Sequence, residues 1–396
     1  MKKNLSTLCF AGLVALTGLV ATGCGSDDAT FVNTGSRTSI REYAVIPNFG
    51  NNSITIKSVN IQDGTSSVLN NSFTQGVANQ PFQVKTHPNI NVFYVLHKGT
   101  ANVASSISQY TMDGNGGVAF LGSVATPANP MWLAIHPSGG LVYVGAANNG
   151  NAAAGSIRRY TVASNGTLTA VGADVATTNF ITNNFQRVQD VDFGFGGGTL
   201  HVPEVNKIET FTIASDGSLT ASGQVNGLTN AAFEAADIDV RPGQASLVAV
   251  VRTNEATDRV MSFPLNNGVL GAIASNISTT ETRLNMGDFA SNGQYYLGSS
   301  TNPRVLGYNL DTTTSVMTAL ATNPMTVATG ARAQFVNLDP SNNFIVSTGG
   351  GIGDALGADN VLVARFRGQN GEFTGSTADS QALNIPGAFD YFNFNF

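Results

Sequence analysis

Three features of the chain predict an all-β fold built from repeated four-stranded units. Asp-Gly or Asn-Gly pairs end at Gly64, Gly114, Gly166, Gly217, Gly268 and Gly371, so this hairpin turn returns about every 51 residues, with one turn missing from the last interval. The stretches between the turns superpose as short apolar or alternating runs, four to a unit, and show no helical periodicity. The first unit lacks its opening strand, and the C-terminus carries a matching strand with nothing after it.

The chain begins with a segment outside this pattern. Lys2 and Lys3 form a basic start, residues 13–20 a short apolar run, and Ala21-Thr22-Gly23-Cys24 follows. A segment this short with these flanks reads as an export signal and not as a membrane-spanning helix. The small residues before Cys24 resemble the lipobox of bacterial lipoproteins, with Ala21 where that pattern most often has Leu. The resemblance implies that residues 1–23 are removed and that Cys24 is lipidated and becomes the mature N-terminus. Gly25 stands where many inner-membrane lipoproteins have Asp, which points to the outer membrane, with the body in the periplasm or facing the surface. Residues 24–38 are polar and irregular and read as a tether. Residues 39–396 read as one domain, because the repeat runs through them unbroken.

Composition agrees with export. Cys9 falls in the signal and Cys24 in the box, so the body has no cysteine and no internal disulfide. Net charge is −6, charged residues are 11 %, and there is no basic run, which argues against a nucleic-acid partner. After the signal no apolar stretch is long enough to cross a bilayer, which leaves the lipid as the membrane attachment.

Within the domain each unit opens with an apolar first strand that often ends in a Pro-containing turn, as at 85–88, 134–139 and 337–342. A second strand follows (92–95, 141–144, 247–250, 295–298), then an alternating third (106–110, 156–160, 207–211). The Asp/Asn-Gly turn then leads to a fourth, as at 166–169 and 217–220. First strands begin near Phe82, Met131, Arg187, Ala235, Leu284 and Ala333. The N-terminal unit has its second, third and fourth strands at 43–46, 54–59 and near Val68, and residues 385–392 supply its first. The expected architecture is a seven-bladed β-propeller of four-stranded antiparallel blades, closed by both chain ends in one blade so that no sheet edge is left open.

The units NPMWLAIHPSGGLVYVGAANNG…GSIRRYTVASNGTLTAVG and QPFQVKTHPNINVFYVLHKGT…SISQYTMDGNGGVAFLG resemble the seven-bladed lactonase family, which includes the propeller-type 6-phosphogluconolactonases. They are also similar to surface propellers with Tyr-Val-Thr-Asn-like repeats. The resemblance covers about residues 40 to 396.

In a propeller the first strands line the central axis. Four positions before the His of His-Pro, the aligned residues are Gln83, Trp132, Gln189, Asp237, Asn285, Phe335 and Ala388, flanked by Arg187, Glu234, Arg283 and Arg332. Such a ring suits a polar, hydroxyl-rich or carboxylate ligand, with Arg as forked donor and the single Trp as stacking face. The competing reading is that these groups solvate a wet channel and pair with one another. The resemblance implies lactone hydrolysis, and in the family some blades carry Pro-x-His or Arg-His at this level. Gln189, Asp237 and Asn285 stand there instead. Arg187 and Arg283 remain as cations for an oxyanion, and Glu234 or Asp237 as a base. Asn254-Glu255 corresponds to an Asn-Glu of the family.

Other features offer less. His87 and His136 repeat with the unit and read as structural, His97 and His201 as incidental, and four histidines so dispersed make no metal site. The glycine run at 349–353 precedes no helix and reads as a loop. The expectation is a monomeric cell-envelope lipoprotein, without cofactor or metal, that binds a partner protein or a polar, sugar-type ligand. The alternative is a hydrolase of sugar lactones working in the axial funnel.

Overall fold

The computed structural model describes residues 41–392 outside a set of connecting segments, chiefly 148–154, 178–189, 229–233, 253–257, 327–332, 349–361, 367–376 and 379–386. The signal, Cys24 and the tether lie outside the described residues, as do Asn254-Glu255 and the glycine run.

The fold is an all-β propeller of four-stranded antiparallel blades. In chain order the first sheet holds Arg41–Asn48, Ser53–Asn60 and Ser66–Phe73, with Asp390–Phe392 on its inner side. The second runs Pro81–Thr86, Val92–His97, Ser106–Met112, Val118–Ala125, and the third Pro130–Ile135, Leu141–Ala147, Gly155–Val162, Leu168–Thr177. The fourth runs Asp192–Phe193, Thr199–Glu204, Lys207–Ile213, Leu219–Asn226. The fifth (Glu234–Val240, Ser246–Arg252, Arg259–Asn266) and the sixth (Leu284–Phe289, Gln294–Ser299, Arg304–Leu310) have outer strands broken in two. The seventh runs Phe335–Leu338, Phe344–Thr348, Leu362–Phe366, Thr377–Ala378. Asp390–Phe392 pairs antiparallel with Arg41–Asn48, Tyr43 opposite Phe392 and Val45 opposite Asp390. Ala388 forms a parallel bridge to Gln83 of the second sheet.

The sheets adhere through apolar faces. Ile107, Leu133 and Val144 share one buried cluster across the second and third sheets, and Trp132, Tyr143, Val191 and Phe193 another across the third and fourth. Turn chemistry locks the outer edges of the early sheets. Tyr43, Tyr94 and Tyr143, equivalent on three second strands, donate their hydroxyls to the carbonyls of Gly114, Gly166 and Gly217 in the following sheet, at 3.1, 2.9 and 2.8 Å. His87 and His136 repeat the same logic, each placing Nε2 on a turn carbonyl of the next sheet, Gly139 at 2.8 Å and Gly197 at 2.9 Å. These two histidines are therefore structural, as their spacing predicts.

The Asp/Asn-Gly turns supply the left-handed backbone at Gly166 (φ 86°), Gly217 (φ 81°) and Gly268 (φ 80°). In the second sheet the positive φ falls on Gly116 (82°), two residues after the Asp-Gly pair. Where the repeat loses its glycine, Asp311 substitutes a side chain for it. Its Oδ1 accepts the N–H groups of Thr313 and Thr314 and the Thr314 hydroxyl, and Ser315 takes φ 58°.

Candidate functional site

The inner strands of six sheets converge on a small cavity. Its wall is made by Val84 and Lys85, Asp190, Asp239, Met286 to Asp288, Phe335 to Asn337, and Ala388 to Asp390. The cavity volume is about 30 Å³, room for about two waters. Four aspartates and one lysine line it, and Lys85 Nζ is 2.9 Å from Asp190 Oδ2.

Many of the inner-strand polar groups are spent on joining one sheet to the next. Gln83 Oε1 accepts the Leu133 N–H at 2.7 Å. At the equivalent place Asp237 Oδ2 accepts the Gly287 N–H at 2.8 Å and the Tyr295 hydroxyl at 3.1 Å. Two or three residues further along the strands, a second set of links uses carboxylates. Asp192 accepts from Val240 N–H (2.6 Å), Asp288 from Leu338 N–H (2.8 Å), and Asp390 from the N–H and hydroxyl of Thr86 (2.6 and 2.9 Å). An ionised or neutral carboxyl oxygen can satisfy such a buried N–H, which would otherwise cost about 1–3 kcal/mol.

The positions read from the sequence therefore separate. Phe335 and Ala388 do face the axial cavity. Gln83 and Asp237 are committed to the neighbouring sheet. Trp132 offers no stacking face: it is fully buried, and its indole lies on Gly145 so closely that any Cβ there would overlap the ring. A bulge between Pro130 and Trp132 accompanies this inward turn. Asn285 is buried, and its place on the cavity wall is taken by Met286; a register shift between Leu284 and Gly287 moves the pattern by one residue. Asp190 lines the cavity, whereas Gln189 is outside the described residues, as are Arg187, Arg283 and Arg332. Glu234 starts the strand Glu234–Val240, three residues before Asp237.

Sequence reasoning missed Asp239, Asp288 and Asp390. The signal was present in the repeated Asp-Val-Asp at 190–192 and Asp-Ile-Asp at 237–239, since alternate residues of a strand share one face. Burial pushes Asp237 up to about 7, with the charge of Asp190 adding to it. Asp239 is raised well above the ordinary carboxyl value by burial, then by Asp237, Asp192 and Asp288. Asp190 is raised by burial despite Lys85. Asp237 Oδ1, Asp239 Oδ2 and Asn337 Oδ1 have no hydrogen-bond partner among the described residues. Among those residues, no three His, Cys, Asp or Glu side chains are grouped to hold a metal ion, and no helix is long and apolar enough to cross a membrane.

No family model and no curated protein matches the chain. Solved structures do. A candidate 6-phosphogluconolactonase of Bacteroides fragilis superposes with TM-score 0.71 at 15% identity, over 90% of this chain and 99% of that one. The periplasmic gluconolactonase of Pseudomonas aeruginosa gives 0.72 at 14%, over 89% and 99%. A protein of Lactobacillus plantarum gives 0.71 at 13%, over 89% and 100%. At these identities the likeness is one of fold: the chain has the lactonase-like propeller.

Proposed function

We propose that this chain is a cell-envelope lipoprotein whose propeller takes a small, hydroxyl-rich, sugar-type ligand at the axis. The observation that carries the reading is the pair of acceptors at the cavity, Asp239 Oδ2 and Asn337 Oδ1, that have no hydrogen-bond partner among the described residues. Sugar hydroxyls are donors that such oxygens can bind, and the cavity is large enough only for water or one substituent, so the ring of the ligand sits above it. Arg187, Glu234, Arg283 and Arg332, which the sequence alignment puts before or at the starts of the first strands, are the residues proposed to bind the rest of the ligand. Each sheet counts as one blade of a seven-bladed ring, closed by the pairing of Asp390–Phe392 with Arg41–Asn48. Lipidation at Cys24 anchors the body to the outer membrane, and Cys24→Ser is expected to move the protein from the membrane pellet to the soluble fraction. The periplasmic setting of the Pseudomonas gluconolactonase is consistent with this place.

One observation favours hydrolysis of a lactone over binding alone. Burial lifts the carboxyl of Asp237 to about 7, the range of a general base, but that group is turned to the sixth sheet, so Glu234 at the start of the same strand is the base proposed for water. Arg187 and Arg283 then stabilise the oxyanion. The test is the full-length chain against glucono-δ-lactone and a panel of aliphatic lactones, read as acid release above the uncatalysed rate. Turnover that disappears in Glu234→Gln and in Arg283→Ala supports hydrolysis. Calorimetric binding of gluconate without turnover supports the ligand-binding reading. Neither turnover nor heat with any sugar acid or lactone would overturn both.

A further inference from the structure

Beside the apolar packing of the fifth and sixth sheets, Asp237 supplies a polar link between them, and a second carboxyl group stands next to it. Asp237 and Asp239 are two apart on Glu234–Val240, so their side chains leave one face of the strand. Their exposures are 0% and 3%, and Asp237 Oδ1 and Asp239 Oδ2 lack partners among the described residues. Among the described residues the groups around the pair are acids and neutral side chains, apart from Lys85. Asp190 and Asp192 face it from the fourth sheet, and Asp288 from Leu284–Phe289. Tyr295 donates its hydroxyl from Gln294–Ser299. His201 on Thr199–Glu204 bonds Thr210 and is held neutral by burial, which lowers it to about 4. The described side chains of Ser246–Arg252 are Ser246 and apolar residues. Lys85, the cation of the cavity wall, is engaged with Asp190.

Two carboxylates cannot both be ionised in such a place without a counter-charge. We propose that Asp237 and Asp239 form a latch between the fifth and sixth sheets that is closed while both carboxyl groups are protonated in acid and loosens stepwise as the two protons leave. While they are held, Asp237 Oδ2 keeps the Gly287 N–H and the Tyr295 O–H. Loss of both protons sets two negative charges on Glu234–Val240 against Asp288 of Leu284–Phe289, a repulsion that opposes the firmer hold of an ionised Asp237 on Gly287 and Tyr295.

The sign of the pH dependence follows from the raised carboxyl values. Between the ordinary value of 3.8 and about 7, the folded chain holds a proton on Asp237 that the unfolded chain has released. This contribution is fully present below 3.8, declines as pH rises, and is gone above about 7. Asp239, raised further, continues the decline at higher pH. An envelope protein meets the pH of its surroundings directly, so the latch would report alkaline conditions at the axis.

The test compares the full-length chain with Asp239→Asn, which is neutral at every pH, by thermal melting at pH 5 and pH 9. The two melting temperatures are expected to lie close together at pH 5, and the variant to be several degrees higher at pH 9. Hydrogen exchange of the peptide covering Leu284–Phe289, corrected for the intrinsic pH effect, is expected to be faster at pH 9 than at pH 5 in the wild type alone. A gap in melting temperature that is the same at both pH values overturns the proposal. So does recovery of the wild type at pH 9 by calcium chloride but not by sodium chloride of equal ionic strength, which would assign the pair to a metal. If Asp239→Asn does not fold, Asp237→Asn, which keeps an acceptor for Gly287, is read in the same way.

Discussion

The second sheet meets the third, and the fifth meets the sixth, through the same hydrogen bond made by different chemistry. In one case the amide oxygen of Gln83 holds the Leu133 N–H at 2.7 Å; in the other the carboxyl oxygen of Asp237 holds the Gly287 N–H at 2.8 Å. Geometry is thus served equally well by a group that cannot ionise. What the carboxyl adds is a charge that depends on pH, in a part of the ring already crowded with Asp239, Asp192 and Asp288. The early sheets instead use Tyr and His on turn carbonyls. Among these links the second-to-third and third-to-fourth contacts are neutral, whereas the fourth-to-fifth, fifth-to-sixth, sixth-to-seventh and first-to-second contacts include acids.

The sharpest way to break the comparison is to remove both acceptors. Asp237→Leu strands the Gly287 N–H and the Tyr295 hydroxyl and is expected to lower stability by about 4 kcal/mol in denaturant unfolding. Gln83→Leu strands one N–H and should cost about 2 kcal/mol. Equal losses would mean that Tyr295 contributes nothing to the acid contact. A smaller effect is expected from Gln83→Glu, which places an acid in a neutral contact: stability near wild type at pH 5 and about 1–2 kcal/mol below it at pH 8, since a buried charge lacks a partner. The smallest effect concerns His87 and His136, both held below the ordinary 6.5 by burial. Here the unfolded chain binds the extra proton, so stability should fall as pH drops below 6.5. His136→Gln should remove part of that acid loss while leaving the alkaline loss of the fifth-to-sixth contact untouched.

The turn rhythm made the repeat legible because Asp-Gly and Asn-Gly meet a backbone need that other residues rarely meet, and residues 43–46 with 385–392 announced a strand pairing through composition alone. The register of Gln83 and Asp237 was also readable, since both stand at one height in their strands. The destinations of their side chains were not. Whether a residue at that height faces the axis or the next sheet depends on bulges such as those before Gln83, Trp132 and Gly287, and a bulge leaves no period in the sequence. Trp132 shows the cost of that blindness: an aromatic at the expected height belongs to the apolar contact with Val191 and Phe193. The acid cluster was visible as Asp-x-Asp, yet its meaning depends on burial, which only the packed sheets create.

The pairing of Tyr43 with Phe392 has a further consequence, for the order in which the molecule can be made. The two residues are separated by nearly the whole length of the chain, and bringing such ends together carries a loop-closure cost of about 5 kcal/mol. Every other sheet can assemble from contiguous residues as they appear, but this one waits for its inner strand until Asp390–Phe392 has been made. Arg41–Asn48 therefore remains a strand with one bare edge until then, a species on which a chaperone could act. Closure of the first sheet is a single event that Asp390–Phe392 controls.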